Sequence, residues 1–257
     1  MSSMKLTAVC VTWNRPALLG RLIHCFEQQT YDNCELLILD DAGQYPDQPH
    51  GDRWKVISFR QRFLSLGAKR NAVTALVSED TDAIAVWDDD DLYYPWAIAA
   101  CAKALGDSNW VQPREVYEWR GKQLIRVRTY IRRDPHRYGY HSGWAYRISA
   151  FNAIGGYPLT GQEDFRFATA MINKYGPSAD PQCEEFPEPY LIYTRGHWTE
   201  HLSGMYLVFS KQGKTDPFDK TWQTFGSLQP EPAQIRVESN IDYMALERPA
   251  VVMPRLW

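Results

Sequence analysis

No stretch of this chain approaches the ~18–20 uninterrupted apolar residues that a membrane span requires, and Met1 to Leu6 contains no signal-like apolar core. These absences predict a soluble, cytoplasmic protein with no membrane span. Cysteine is scarce: the five residues at 10, 25, 34, 101 and 183 form no CxxC pair. An odd number of scattered thiols fits reduced core residues rather than a disulfide framework. Charge of one sign is also missing, because 28 Lys+Arg against 31 Asp+Glu leave a formal net charge of -3. No global field draws in nucleic acid or an anionic membrane, so such a partner must be met by a local patch. There is no internal repeat and no low-complexity tract, and 44% apolar with 23% charged residues excludes a mainly disordered or collagen-like chain. Aromatics, by contrast, are abundant at 14%, with 10 Trp and 15 Tyr, and such rings suit stacking on sugars or bases as well as core packing.

The 257 residues suit one large domain, or one domain with an appendage. Strand and helix signals alternate over the first hundred. Leu6 to Thr12 is an apolar, β-prone run; Pro16, pre-set for a first helical turn, opens a segment with Leu18, Leu19, Leu22, Ile23 and Phe26 on one face. Glu35–Leu39, Lys55–Phe59 and Asp82–Trp87 read as strands, Ala68–Val77 as a helix, and Pro95 starts another helix ending near Gly106. Repeated βαβ units predict an α/β fold with a mainly parallel, Rossmann-like central sheet flanked by helices. Its ligand crevice should lie at the carboxyl ends of the strands. Residues 1–107 form this half. Residues 108–211 read as an α+β half of the same domain, with strands over Trp110–Trp119 and Gln123–Ile131 around a hairpin turn at Arg120-Gly121-Lys122. Beyond about residue 212, Pro217, Pro230, Pro232, Pro249 and Pro254 predict an extended tail or lid.

Asp88 to Asp91 are four consecutive carboxylates closing the apolar run Ala83–Trp87. Like charges this close raise one another's pKa unless a cation or hydrogen-bond donors compensate. A hard divalent ion takes oxygen ligands, and Mg²⁺ is commonly held by one or two carboxylates plus substrate phosphates. The bland alternative is a solvated acidic turn ahead of Pro95.

In order and spacing, four motifs resemble the nucleotide-binding half of family-2 glycosyltransferases with a GT-A fold: Val9–Arg15, Ile38–Ala42, Gly67–Asn71 and Trp87–Asp91. Gly155-Gly156-Tyr157 followed by Glu163-Asp164 is similar to the family's acceptor-side loop and ED motif, so the likeness covers roughly residues 5 to 170. The resemblance implies a donor site built from Thr12, Trp13, Asn14, Arg15, Asp40, Asp41, Gly67, Arg70, Asn71, Asp88 and Asp89. Within it, Trp13 would stack on the base, Asp40 or Asp41 would accept from the base imide, and Arg70 would approach the base or diphosphate. Asp88 and Asp90 match the outer acids of the DxD motif, contacting ribose and metal respectively; Asp90 is the first metal ligand, for Mn²⁺ or Mg²⁺. Asp164 matches the catalytic base, with Glu163 beside it. GT-A enzymes often bring a late histidine to the metal, which makes His197 or His201 a further ligand. These two lie four residues apart, hence on one face if helical, but Glu200 is wrongly placed for a HExxH zinc signature.

The implied chemistry is sugar transfer from a nucleoside-diphosphate donor, a UDP-sugar, to a hydroxyl acceptor. A divalent cation neutralises the departing diphosphate and a carboxylate takes the acceptor proton. One base without a matched nucleophile implies inversion at the anomeric carbon. A nucleotidyltransferase would also use acidic metal ligands but has no need of Asp164, and a non-catalytic binding module would keep the pocket without turnover. From Arg114 to Arg137, basic residues outnumber acidic ones, with Tyr117, Trp119 and Tyr130 interleaved. Such a strip suits a phosphorylated glycan carrier or nucleic acid as acceptor, or is simply a solvated sheet face.

Overall fold

The computed structural model describes residues 3–60, 62–120, 123–128, 140–159 and 161–194. Outside them lie the expected tail over 212–257, His197, His201, and the turn residues Gly121 and Lys122. In chain order the elements are β1 (Leu6–Thr12), α1 (Pro16–Glu27), β2 (Cys34–Asp40), β3 (Trp54–Ser58), α2 (Leu66–Ala75), β4 (Ala83–Val86), β5 (Leu92–Tyr93) and α3 (Ala97–Ala104). There follow β6 (Trp110–Val111), β7 (Glu115–Arg120), β8 (Gln123–Arg128), β9 (Ala145–Arg147), α4 (Ile148–Ile154), α5 (Glu163–Tyr175) and β10 (Leu191–Thr194).

Among the described residues the strands form two sheets, ordered β3-β2-β1-β4-β9-β6 and β5-β10-β7-β8. The first four strands of the larger sheet run parallel, and β9 lies antiparallel to β4. The chain winds outward from β1 to β2 and β3, then returns through α2 to β4 on the other side of β1. The gap beyond the carboxyl ends of β1 and β4 is therefore the point where strand order reverses, and open α/β sheets bind ligands at such points.

Side-chain alternation places Leu6, Ala8 and Cys10 of β1 on one sheet face and Val9 and Val11 on the other. Leu19, Leu22, Ile23 and Phe26 of α1, with Ile98 and Cys101 of α3, cover the first face. Val73 of α2, Phe151 of α4, and Phe167 and Met171 of α5 cover the second. Burying each of the larger side chains favours folding by roughly 1.5–3 kcal/mol relative to exposure. The smaller sheet joins the first cluster through Val116, Leu191 and Ile192.

Two expectations need correction. The single strand expected over Trp110–Trp119 is broken: β6 belongs to the large sheet and β7 to the small one. Between them, Gln112 N–H donates to Ala179 O at 3.0 Å, Arg114 N–H donates to the Asp180 carboxylate at 3.4 Å, and Pro113 has no N–H to continue a ladder. The helix expected over Ala68–Val77 runs two residues earlier, over Leu66–Ala75; Ser65 caps its start, its Oγ accepting from Ala68 N–H at 3.1 Å.

Candidate active site

Parallel pairing of Val9 with Val86, extended by Trp87 N–H donating to Val9 O at 3.0 Å, carries the chain ends after β1 and β4 out side by side. Thr12 therefore meets Asp89: Thr12 Oγ1 donates to Asp89 Oδ2 at 2.6 Å. Asn14 takes a left-handed φ of 55°, a conformation Asn tolerates better than most residues, and its Oδ1 accepts from Gln44 Nε2 at 2.7 Å. The turn aims Arg15 at the acidic run, where one guanidinium nitrogen donates to Asp89 Oδ1 at 2.9 Å and to Asp90 Oδ2 at 3.1 Å.

The four aspartates point different ways. Asp88 is partly exposed and accepts from Arg70 at 3.3 Å, while its N–H donates to the Tyr93 hydroxyl at 2.8 Å. Tyr93 stacks on Trp87 at 3.8 Å and meets Ser142 Oγ at 2.5 Å, so the loop rests on a rigid aromatic base. Asp89 and Asp90 are buried under Arg15. Asp91 turns fully inward, accepting from Thr194 N–H at 2.9 Å, and Thr194 Oγ1 donates to Asp90 O; the end of β10 thereby closes the loop from below. Burial, then Asp89 and Asp88, push the Asp90 carboxyl up to about 7 against the opposing pull of Arg15. Burial, then Asp90 and Asp88, also raise the Asp91 carboxyl well above its ordinary value. The compensating charge expected of the run is thus supplied in part by the chain's own Arg15 and Arg70.

Asp40 is fully buried and its carboxylate accepts from Ala42 N–H, Gln44 N–H and Ser58 Oγ at 3.0, 2.9 and 2.8 Å. It shapes the turn after β2. Asp41 Oδ1 accepts from Lys69 Nζ at 2.5 Å and from Arg62 at 2.9 Å, and Oδ2 accepts from Phe63 N–H at 3.3 Å. Lys69 Nζ also donates to Thr12 O at 2.5 Å, which binds the first and second loops together. The Arg62 guanidinium lies over the Trp13 ring, 4.4 Å from its centroid.

Arg70 links this donor-side cluster to the second half of the chain: its Nε is 3.8 Å from Glu163 Oε1 and its guanidinium 6.0 Å from the centre of the Tyr157 ring. Glu163 and Asp164 occupy the first turn of α5, where carboxylates complement the helix dipole, and Gln162 caps that end with its backbone only. Burial pushes Glu163 up; Arg70 pulls it down, while Asp164 and Asp88 raise it further. Asp164, like Glu163, is half-buried, and it accepts from Phe165 N–H at 2.7 Å. Under Arg70, His141 Nε2 meets the Tyr157 hydroxyl at 2.8 Å, and burial, reinforced by Arg70, keeps its pKa far below the usual imidazole value, so it stays neutral.

Gly67 and Asn71 both lie against the loop before α5. Both ends of the Asn71 amide are engaged by one residue: Nδ2 donates to Tyr157 O and Oδ1 accepts from Tyr157 N–H, each at 2.8 Å. A Cβ on Gly67 would stand 2.0 Å from Pro158 O. These contacts hold the loop before α5 against α2. Gly67→Ala is accordingly expected to cost about 1–3 kcal/mol, since backbone must shift to relieve the overlap. A urea midpoint equal to wild type would contradict that packing.

Among the described residues no group of three or more His, Cys, Asp or Glu side chains is arranged to hold a metal ion. In the basic strip, Arg126 and Arg128 pair with Glu115, Arg126 also with Glu188, and Arg114 with Asp180, so these described arginines are locally balanced. Arg132, Arg133, Arg137 and Tyr130 lie outside the described residues. Sequence reasoning missed Arg62, Lys69 and Thr194 as site residues. Lys69 stood inside the Gly67–Asn71 motif and could have been found there, but the other two carry no local signal. No helix among the described residues is long and apolar enough to cross a membrane.

A family model, "Glycosyl transferase family 2", matches residues 7–156. A curated relative from Bacillus subtilis (strain 168), the uncharacterized glycosyltransferase YwdF, is 29% identical over 116 residues, covering 42% of this chain and 41% of that protein. The chain thus spans less than half the length of this relative. Among solved structures, S. aureus TarS 1-349 in complex with UDP-GlcNAc aligns with a TM-score of 0.59 at 15% identity, over 78% of this chain and 61% of that one. The mannosyltransferase PcManGT from Pyrobaculum calidifontis, in complex with GDP-Man and Mn²⁺, aligns with a TM-score of 0.54 at 14% identity, over 84% and 67%. At such identities the structural likeness establishes the fold, which is the GT-A arrangement. With its sheet order and a family model spanning more than half of its length, this chain belongs to glycosyl transferase family 2.

Proposed function

We propose that this protein transfers a sugar from a nucleoside-diphosphate donor, a UDP-sugar or a donor with a similar base, to a hydroxyl acceptor. One observation carries the reading: at the reversal point of the sheet, the loops after β1, β2 and β4 converge, and Arg70 ties Asp88 to Glu163 at the start of α5. Trp13 offers the base a ring to stack on, and Asp41 is its acceptor; Asp40, with three hydrogen bonds inside its own turn, is assigned to structure. Arg70, 3.3 Å from the Asp88 carboxylate, is assigned to the diphosphate.

Asp88 and Asp90 offer the oxygen donors that a hard cation takes, in a run of four carboxylates whose charge Arg15 and Arg70 offset in part. Asp90, with Asp88, would hold Mn²⁺ or Mg²⁺, the donor's phosphates completing the set; His197 and His201 remain candidates outside the described residues. Bound there, the metal supplies Lewis-acid neutralisation of the departing diphosphate. Asp164 accepts the acceptor's proton, while Glu163, 3.8 Å from Arg70, positions the turn. A single base facing the donor gives displacement with inversion.

Incubation with UDP- and GDP-sugars should release nucleoside diphosphate only when Mn²⁺ or Mg²⁺ is present, and NMR of the product should find the anomeric configuration opposite to the donor's. A retained configuration would contradict the role of Asp164. Absence of donor turnover under all these conditions would leave a binding module in its place.

A further inference from the structure

Arg62 holds both groups assigned above to the nucleobase. Its guanidinium is flat, carries N–H donors on its edge, lies 4.4 Å from the centre of the Trp13 ring and donates to Asp41 at 2.9 Å. A uracil or guanine ring has the same two features: a planar face to stack and an N–H edge for a carboxylate. We propose that Arg62 is a base-mimicking gate, occupying the base subsite of the donor-free protein and leaving it when a nucleotide enters. This inference rests on the donor-site reading above.

Three observations make the exchange feasible. Arg62 stands at the rim, its side chain 31% exposed, whereas Lys69 and Asp41 are only 7% and 2% exposed. Departure of Arg62 does not strand the buried Asp41, which keeps Lys69 at 2.5 Å and Phe63 N–H at 3.3 Å. The loop is anchored through the Phe63 backbone, so only the long Arg62 side chain needs to swing, and its neighbour Leu64 is already fully exposed. Stacked and edge-on contacts of a rim arginine are individually weak, so the gate selects against ligands that cannot replace both contacts without blocking those that can.

The test is a calorimetric titration of the full chain with UDP and GDP in Mn²⁺, using wild type, Arg62→Ala and Arg62→Lys. Removal of the competitor should tighten binding by about 3- to 10-fold in Arg62→Ala. Lysine keeps a cation on Asp41 but has no flat face, so Arg62→Lys should fall between alanine and wild type. Binding in Arg62→Ala that is unchanged or weaker, in a variant that melts as wild type does, overturns the gate. Should the alanine variant not fold, the same result in Arg62→Lys overturns it. Binding by the variants alone supports it. No binding of either nucleotide by any of the three proteins removes the donor reading itself, and the gate with it.

Discussion

Asp164→Asn is expected to lower kcat by about 10²- to 10⁴-fold, the range associated with a positioned general base, with little change in KM for the donor. Asparagine matches aspartate in size and its Oδ1 can still accept from Phe165 N–H, the 2.7 Å contact made by the carboxylate, so the first turn of α5 should persist. The loss would then report proton transfer alone. Glu163→Gln is the informative contrast. Glu163 faces the Arg70 guanidinium, which is shared with Asp88, so its replacement should affect donor binding as well as turnover. If Asp164→Asn turned over at the wild-type rate, the base would have to be sought elsewhere.

Asp90→Asn should reduce transfer by about 10²- to 10³-fold, comparable to the loss of one preorganised group that stabilises developing charge. The amide still offers Arg15 an acceptor in place of Asp90 Oδ2, and the Asp90 carbonyl bond to Thr194 involves only backbone on its side. The loop should therefore stay folded while its affinity for a divalent cation falls. The measurement is the Mn²⁺ concentration giving half-maximal donor turnover, expected to rise in the variant. An unchanged Mn²⁺ requirement together with unchanged turnover would reject Asp90 as a metal ligand.

Much of the scaffold could be read from the chain. The apolar face of Leu19, Leu22, Ile23 and Phe26 marked α1, and that helix packs on the sheet face formed by Leu6, Ala8 and Cys10. Alternating βαβ signals also pointed to the sheet edge where Thr12–Arg15, Asp40–Asp41 and Asp88–Asp91 gather. Contacts across long sequence separations were not legible. The run of aspartates calls for positive charge, but nothing local indicates that Arg15 and Arg70 deliver part of it from 74 and 18 residues away. The break after β6 depends on residues 179 and 180 capturing Gln112 and Arg114, a tertiary event superimposed on a β-prone sequence. Gly67 and Asn71 fall inside a nucleotide-associated motif, yet their contacts are to Pro158 and Tyr157, because α2 must dock on the loop that presents α5. That contact joins the two halves of the site, and its partners lie 86 residues or more along the chain from Asn71 and Gly67.

On the proposed reading, the crevice beyond β1 and β4 takes a nucleoside diphosphate between Trp13, Asp41 and the Asp88–Asp90 carboxylates. A thermal-shift titration with UDP and GDP, with and without Mn²⁺, tests it most directly, since a ligand bound only by the folded chain raises the melting temperature by mass action. A saturable rise that requires Mn²⁺ and is lost in Asp90→Asn is expected. A melting temperature indifferent to both nucleotides at every Mn²⁺ concentration would contradict it.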